Sequence, residues 1–90
     1  MTTKQREQLR EAIVIFLADR PVRVFSVEEL THKREIKRAV DGDFDESHVN
    51  DALAVLEGFK LVTRVQRPLS GLTDFQITSE GVTFRERQYP

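Results

Sequence analysis

Carboxylates dominate the middle of the chain, where residues 41–57 hold six of them and no lysine or arginine. Three of these acids alternate along "DGDFDE", as the first oxygen ligands of a calcium loop do. The remainder of such a loop is missing, because its sixth position is Glu46 instead of glycine and its twelfth is Ala52 instead of glutamate. The pattern therefore indicates a turn and the start of a helix, where acidic side chains are favourable.

The other reactive side chains form no recognisable catalytic or metal-binding pattern. His32 and His48 lie on different predicted elements, and there is no cysteine to complete a zinc site. The serines stand in capping or turn contexts, and the four glycines form no phosphate-binding loop. We therefore expect no catalytic residue, no metal and no cofactor, and a chain that is not an enzyme.

Basic side chains concentrate in "HKREIKRAV", where Lys33, Arg34, Lys37 and Arg38 follow helical spacing. Residues three and four apart share one face of a helix, so the four cations form one patch. That patch could hold a phosphate backbone. The alternative is an ordinary exposed helical face whose charge is balanced by Glu35 and neighbouring acids.

Length and composition predict one small soluble domain over residues 1–90, with an ordered core over about 4–87. The longest apolar run near the start, "AIVIFLA", is far too short to span a membrane, and the sequence is typical of a cytoplasmic protein. The net charge of −1 conceals a sorted distribution of +3 over residues 1–40, −6 over 41–57 and +2 over 58–90. The chain as a whole therefore lacks the net positive charge that is typical of nucleic-acid-binding domains.

A first helix is predicted from about Lys4 to Asp19, because apolar residues recur at helical spacing and Pro21 stops it. Its apolar face is broad, which suggests contacts on two sides, within the domain or with a second copy. Together with Ile36, Ala39 and Val40, which are out of phase with the start of the next helix, this face predicts a homodimer.

A short extended piece, "RVF" at 23–25, precedes a second helix that opens with a capping box. In "SVEE" the Ser26 hydroxyl and the Glu29 carboxylate each reach the other residue's backbone amide. Because the apolar residues then change face, this helix either breaks near residues 32–34 or buries different faces at its two ends. Gly42 is its predicted stop.

The third helix is the clearest element, with Asp45 as its N-cap and Phe44 able to pack on Val49 as a hydrophobic staple. The alternating segments "LVTRVQR" and "DFQIT" then predict two strands joined by "PLSGLT". Residues 79–87 fit either a short helix capped by Thr78 or a strand. The predicted core consists of Leu9, Ile13, Phe16, Leu17, Leu30, Val49, Leu53, Leu56, Leu61, Phe75 and Ile77, and we also assign Phe25, Phe44 and Phe59 to it.

The run "LAVLEGFKLVTRV" followed by "FQITSEG" resembles the "LxxLExxGLVxR" and "YxITxxG" pattern of MarR-like and PadR-like transcription regulators. The similarity covers roughly residues 9–85. It implies an α+β winged helix, a three-helix core with a two-stranded hairpin wing. These motifs specify how helix and wing pack, so they support the fold more than a function.

The sequence departs from that family in three places. Lys60 replaces the usual glycine before "LV", so we expect a rebuilt helix end, and the segment from Leu30 to Val49 is several residues longer than the family pattern. The third helix turns Ser47, Asn50, Asp51 and Ala54 outward, at the positions that would meet base edges in the major groove.

Two functions follow. The first is a DNA-binding transcription regulator, in which Ser47 and Asn50 contact bases while the helical cations, with Arg64 and Arg67 on the wing, contact phosphates of double-stranded DNA. The second is a protein-interaction module whose acidic third helix meets a basic protein surface, without DNA binding. Neither involves a membrane.

Overall fold

A long first helix, α1 (Thr3–Ala18), opens the computed structural model of the chain, which describes residues 1–88. It begins with a capping box between Thr2 and Gln5 and ends at Asp19, as the periodicity predicted within one residue. Its buried side chains contact three later helices and the sheet, so it is covered on several sides. None of the helices in residues 1–88 is both long and apolar enough to cross a membrane.

The predicted second helix is broken, so the first of the two alternatives is confirmed. The strand β1 (Phe25–Ser26) leads into α2 (Val27–Thr31), and the Ser26–Glu29 capping box has both hydrogen bonds at 3.1 Å. Lys33 is extended, and a separate helix α3 (Arg34–Ala39) follows. The break lets Leu30 and Ile36 both reach the core, which one straight helix could not do. The helix α3 ends before Gly42, earlier than predicted.

The next helix, α4 (Glu46–Gly58), starts at the predicted cap. The Asp45 carboxylate accepts hydrogen bonds from the backbone amides of Ser47 and His48, at 3.0 and 3.2 Å. Hydrogen bonds from the Ser47 side chain and the His48 backbone amide lower the pKa of Asp45. The His48 ring returns the contact by accepting from the Asp45 amide, a partner that the sequence did not reveal.

Three antiparallel strands form the sheet, in the order β1, β3, β2. The hairpin strands β2 (Val62–Gln66) and β3 (Thr73–Ile77) pair as predicted, with Arg64 opposite Phe75. The short piece before α2 adds the third strand, placing Phe25 beside Phe75 on the other edge. A final helix, α5 (Ser79–Gln88), decides the ambiguous end of the chain in favour of a helix. The whole is the predicted α+β winged helix.

One hydrophobic cluster holds these elements together, and all eleven core residues predicted from periodicity are buried in it, along with Phe25. Phe44 is half-buried against it. The assignment of Phe59 to the core is wrong, because α4 ends at Gly58 and the Phe59 side chain is 70% exposed. Ile36 and Val40, on which the homodimer prediction partly rested, are buried within the chain itself.

The end of α4 keeps the geometry of a glycine cap although it has no glycine at the turning position. The Lys60 amide donates to the Glu57 carbonyl and the Leu61 amide to the Leu56 carbonyl, at 2.9 and 3.0 Å, which is a Schellman motif. Lys60 has a φ of 62°, in the left-handed region. The expectation of a rebuilt helix end is therefore wrong, since lysine occupies the glycine conformation unchanged.

Thr78 joins this turn to α5. Its backbone amide donates to the Leu61 carbonyl at 3.0 Å, and its hydroxyl lies 2.7 Å from the Lys60 carbonyl. The same hydroxyl oxygen accepts from the Gly81 amide at 3.0 Å and so caps α5. Gly81 is buried, and a Cβ there would lie 2.2 Å from the Leu61 carbonyl oxygen. The "ITxxG" pattern thus records close contact between α5 and the turn after α4.

Gly81→Ala should destabilise the fold by about 1–3 kcal/mol, the usual range for overpacking, because the added methyl group meets backbone and the Ile77 side chain. Gly58→Ala is the matched control. Nothing lies within 4 Å of a Cβ at Gly58, so this change should be neutral or stabilise by up to about 1 kcal/mol. Urea unfolding of both variants tests the pair, and equal midpoints would contradict the close approach.

Lys60→Gly should stabilise the protein by up to about 1 kcal/mol, because it removes the cost of a left-handed residue that carries a Cβ. Lys60→Ala keeps that conformational cost and should give no gain. Thermal unfolding of the two variants separates backbone strain from loss of the lysine charge. A gain from alanine equal to that from glycine would show that the charge, and not the backbone, is responsible.

Candidate nucleic-acid interface

The outward face of α4 contains the predicted base-reading positions. Ser47, Asn50, Asp51 and Ala54 are all exposed. Ser47 is already engaged at the helix start, because its hydroxyl donates to the Asp45 carboxylate at 2.9 Å. Within the part of the chain that the structure describes, the Asn50 side chain makes no hydrogen bond, and its amide is therefore the more available group for contacts across this surface.

The acidic turn before α4 is solvent-exposed at Asp41, Asp43 and Asp45, as is Glu46. Asp41 also fastens the turn to α1, since its backbone amide donates to the Gln8 side chain at 3.0 Å and its carboxylate accepts from the Gln8 amide at 3.1 Å. Among residues 1–88, no group of three or more His, Asp or Glu side chains is placed to hold a metal ion.

The helix α3 presents its cations to solvent. Ile36 and Val40 are buried, which turns Arg34, Lys37 and Arg38 outward, and all three are exposed. Lys33 is half-buried at the start of the helix, with its Nζ 5.5 Å from the centre of the Phe25 ring.

The one acid within α3 does not neutralise these cations. Glu35 accepts a hydrogen bond at 3.0 Å from Arg20, which lies just after the end of α1. Arg34, Lys37 and Arg38 have no ion pair within the described residues. The alternative of a face balanced by Glu35 is thus weakened, because the glutamate charge is matched by Arg20.

Arg23 extends this surface and was not among the predicted site residues. Its guanidinium lies 5.0 Å from the centre of the Phe25 ring, the same ring that Lys33 approaches. Both cations gain from the ring's electron density. The segment "RVF" contained the signal for this position. A basic residue two positions before a strand must lie near that strand, and β1 pairs with the wing strand β3. We call Arg23, Lys33, Arg34, Lys37 and Arg38 the basic face.

The wing arginines are paired with acids. Arg64 Nε donates to both carboxylate oxygens of Glu57 in α4, at 2.8 and 3.0 Å. Arg67 makes a two-point contact with Asp74 across the hairpin, at 2.8 and 2.9 Å. Asp74 is only 4% exposed, and its hydrogen bonds raise the pKa of Arg67 further above its usual range. Both arginines therefore have a structural role before any partner binds.

The predicted site residues thus fall into three groups. The helical cations lie together on the basic face, and Ser47 and Asn50 lie on the outward face of α4. Arg64 and Arg67 lie on the hairpin, with their charge matched by their own chain.

No protein-family model matches the chain, and no curated protein matches it. Solved structures share its fold. A double mutant of Lactococcus lactis ZitR in apo form aligns over 93% of this chain with a TM-score of 0.67 and 15% identity. A second ZitR mutant aligns over 88% of this chain, with a TM-score of 0.65 and 14% identity. This chain spans 56% and 47% of those two chains.

A transcriptional regulator from Clostridium thermocellum aligns over 97% of this chain and 82% of its own length, with a TM-score of 0.70 and 17% identity. At such low identities these similarities establish the winged-helix fold. Together with the geometry, they show that the chain has an architecture used by transcriptional regulators.

Arg67→Ala should lower the urea midpoint of unfolding more than Arg64→Ala does. The first change leaves the buried Asp74 carboxylate without its cation, whereas Glu57 remains 35% exposed at its side chain and can be solvated. Adding Asp74→Asn to Arg67→Ala should recover part of the loss, because it removes the unpaired charge. Equal effects of the two arginine variants, or no recovery, would contradict a structural role for this pair.

Proposed function

We propose that this protein binds double-stranded DNA as a regulator-type winged helix and contacts phosphates through its basic face. The observation that carries this proposal is the set of cations on α3 that have no ion pair within residues 1–88, while the one acid of that helix is matched by Arg20. Affinity for DNA comes largely from neutralising phosphates, so free cations matter more than the net charge of −1.

The division of labour within the site follows from the contacts. Arg34, Lys37 and Arg38 supply exposed charge for phosphates. Asn50 is the best-placed reader of bases, since an asparagine amide can hold adenine through two hydrogen bonds. Arg64 and Arg67 contribute less free charge than their number suggests, because Glu57 and Asp74 hold them. Arg64 fixes the wing to α4, and Arg67 joins the two sides of the hairpin.

The acidic turn lowers affinity in this scheme. Its exposed carboxylates next to the start of α4 repel phosphates, so binding should be weak and strongly dependent on salt. The same acids favour a second candidate function, docking of a basic protein surface on the acidic end of α4. The two functions rely on charges of opposite sign, so charge variants distinguish them.

The decisive experiment is a titration with mixed-sequence duplex DNA at low and moderate salt. Lys37→Ala/Arg38→Ala should weaken binding and reduce the slope of log affinity against log salt by about two, one for each lost phosphate contact. Lys4→Ala/Arg6→Ala is the matched control. It removes two exposed cations from α1 outside the basic face and should change the slope little.

Asp43→Asn/Glu46→Gln provides the complementary change, since it removes two acids without altering the basic face. DNA binding should strengthen in this variant. If wild-type protein does not bind DNA even at low salt, or if the control and the α3 variant lose affinity equally, the DNA proposal fails. The acidic surface and a basic protein partner then become the better account.

A further inference from the structure

The imidazole of His48 takes the place of a carboxylate or amide in the cap of α4. In an ordinary capping box, a glutamate or glutamine three residues after the cap accepts a hydrogen bond from the cap residue's amide. Here the Asp45 amide donates to His48 Nδ1 at 3.1 Å. A neutral imidazole accepts at Nδ1 only when its proton is on Nε2, and a protonated imidazole cannot accept at all. This hydrogen bond therefore exists only while His48 is neutral.

The same ring atom has a second partner within reach. His48 Nδ1 lies 3.2 Å from Oδ1 of the Asp45 carboxylate, to which a protonated ring can donate. Hydrogen bonds, first that from the Ser47 side chain, lower the pKa of Asp45, so its carboxylate stays charged in the range where an imidazole titrates. Protonation of His48 thus exchanges a hydrogen bond for an ion pair with the same residue.

The groups around the ring carry both signs of charge. The His48 side chain is 35% exposed, so protons reach it from solvent. Charged groups from the start of the chain and from α4 line the pocket beside it, and they belong to Met1, Arg6, Arg10 and Asp51. The arginines and the terminal amino group oppose protonation of the ring, whereas Asp45 and Asp51 favour it.

We propose that His48 is a protonation switch that sets the charge at the start of α4. With a neutral ring, the Asp45 carboxylate adds to the negative charge of the exposed Asp43 and Glu46. With a protonated ring, that carboxylate is neutralised by the imidazolium. Acidification therefore makes the outward face of α4 less repellent to an anion. For DNA, this regulation rests on the function proposed above, and affinity should rise as the pH falls.

Nitrogen-15 NMR of the ring tests the hydrogen bond itself. At about pH 8, His48 Nδ1 should be unprotonated and Nε2 protonated. On acidification to about pH 5.5, the Asp45 amide proton should move upfield with the same midpoint as the ring, because it loses its acceptor. A proton on Nδ1 at the higher pH, or an Asp45 amide that does not follow the ring, would overturn the proposal.

His48→Gln is the matched variant, because glutamine is an ordinary capping-box residue whose carbonyl accepts the Asp45 amide at every pH. The variant should keep the fold, and its Asp45 amide should no longer respond to acidification. His32→Gln is the control, since it removes the other histidine, at the end of α2, and should leave the Asp45 response unchanged. A response that persists in His48→Gln or disappears in His32→Gln would contradict the switch.

Titrations with duplex DNA at both pH values and constant salt connect the switch with the proposed function. At about pH 8, wild type and His48→Gln should bind equally. Acidification should then raise the affinity of wild type about threefold more than that of the variant, the effect of one charge about 7 Å from a phosphate in water. Comparison with the variant removes the contributions of His32 and of the terminal amine.

The outcomes separate this inference from the DNA proposal. If both proteins bind DNA and gain equally on acidification, the regulation by His48 is wrong while DNA binding stands. If neither binds DNA at either pH, the DNA function and its regulation fail together. The NMR titration then decides by itself whether His48 exchanges its hydrogen bond for the ion pair.

Discussion

The hydroxyl of Thr78 is the contact on which the relative positions of the other elements depend. It connects the carbonyl at the end of α4 with the first turn of α5, immediately after β3. Because the Leu61 carbonyl also accepts from the Thr78 amide, the wing begins and ends at the same place. Gly81 permits this approach, since any side chain would meet that carbonyl. The angle between α4 and the wing is therefore set by Leu61, Thr78 and Gly81, at the base of the hairpin.

Electrostatic pairing divides the cations of this protein into two kinds. Those of the hairpin satisfy acids on neighbouring strands or on α4, whereas those of α3 remain in solvent. A count of basic residues in the sequence treats both kinds alike. Separation in space is what gives a nearly neutral chain one surface of exposed cations on α3 and, in the turn just beyond α3, another of exposed carboxylates.

Much of the fold could be predicted from the sequence because its signals are local. The Ser26–Glu29 capping box, the Asp45 cap and the periodicity of α1 and α4 act within a few residues, and the buried positions of both helices followed from that periodicity. The predictions that failed depended on contacts between residues that are distant in sequence. Phe59 continues the apolar period of α4, yet a turn stabilised by Thr78 removes it from that face. In the candidate site, the positions of α3 and α4 were predictable, but pairing of Arg67 with Asp74 required the strand register.

The α1 helix contributes to two surfaces with different properties. Over 16 residues it extends about 24 Å, and it packs against the cation-bearing α3 and also lines an apolar groove together with α4 and α5. Anything that seats two molecules through the groove would hold their α3 helices apart by a rigid spacer instead of by a flexible connection. If the basic face binds DNA as proposed, the tolerated spacing between two half-sites would then be narrow, and inserting a few base pairs between them should matter more than changing the bases inserted.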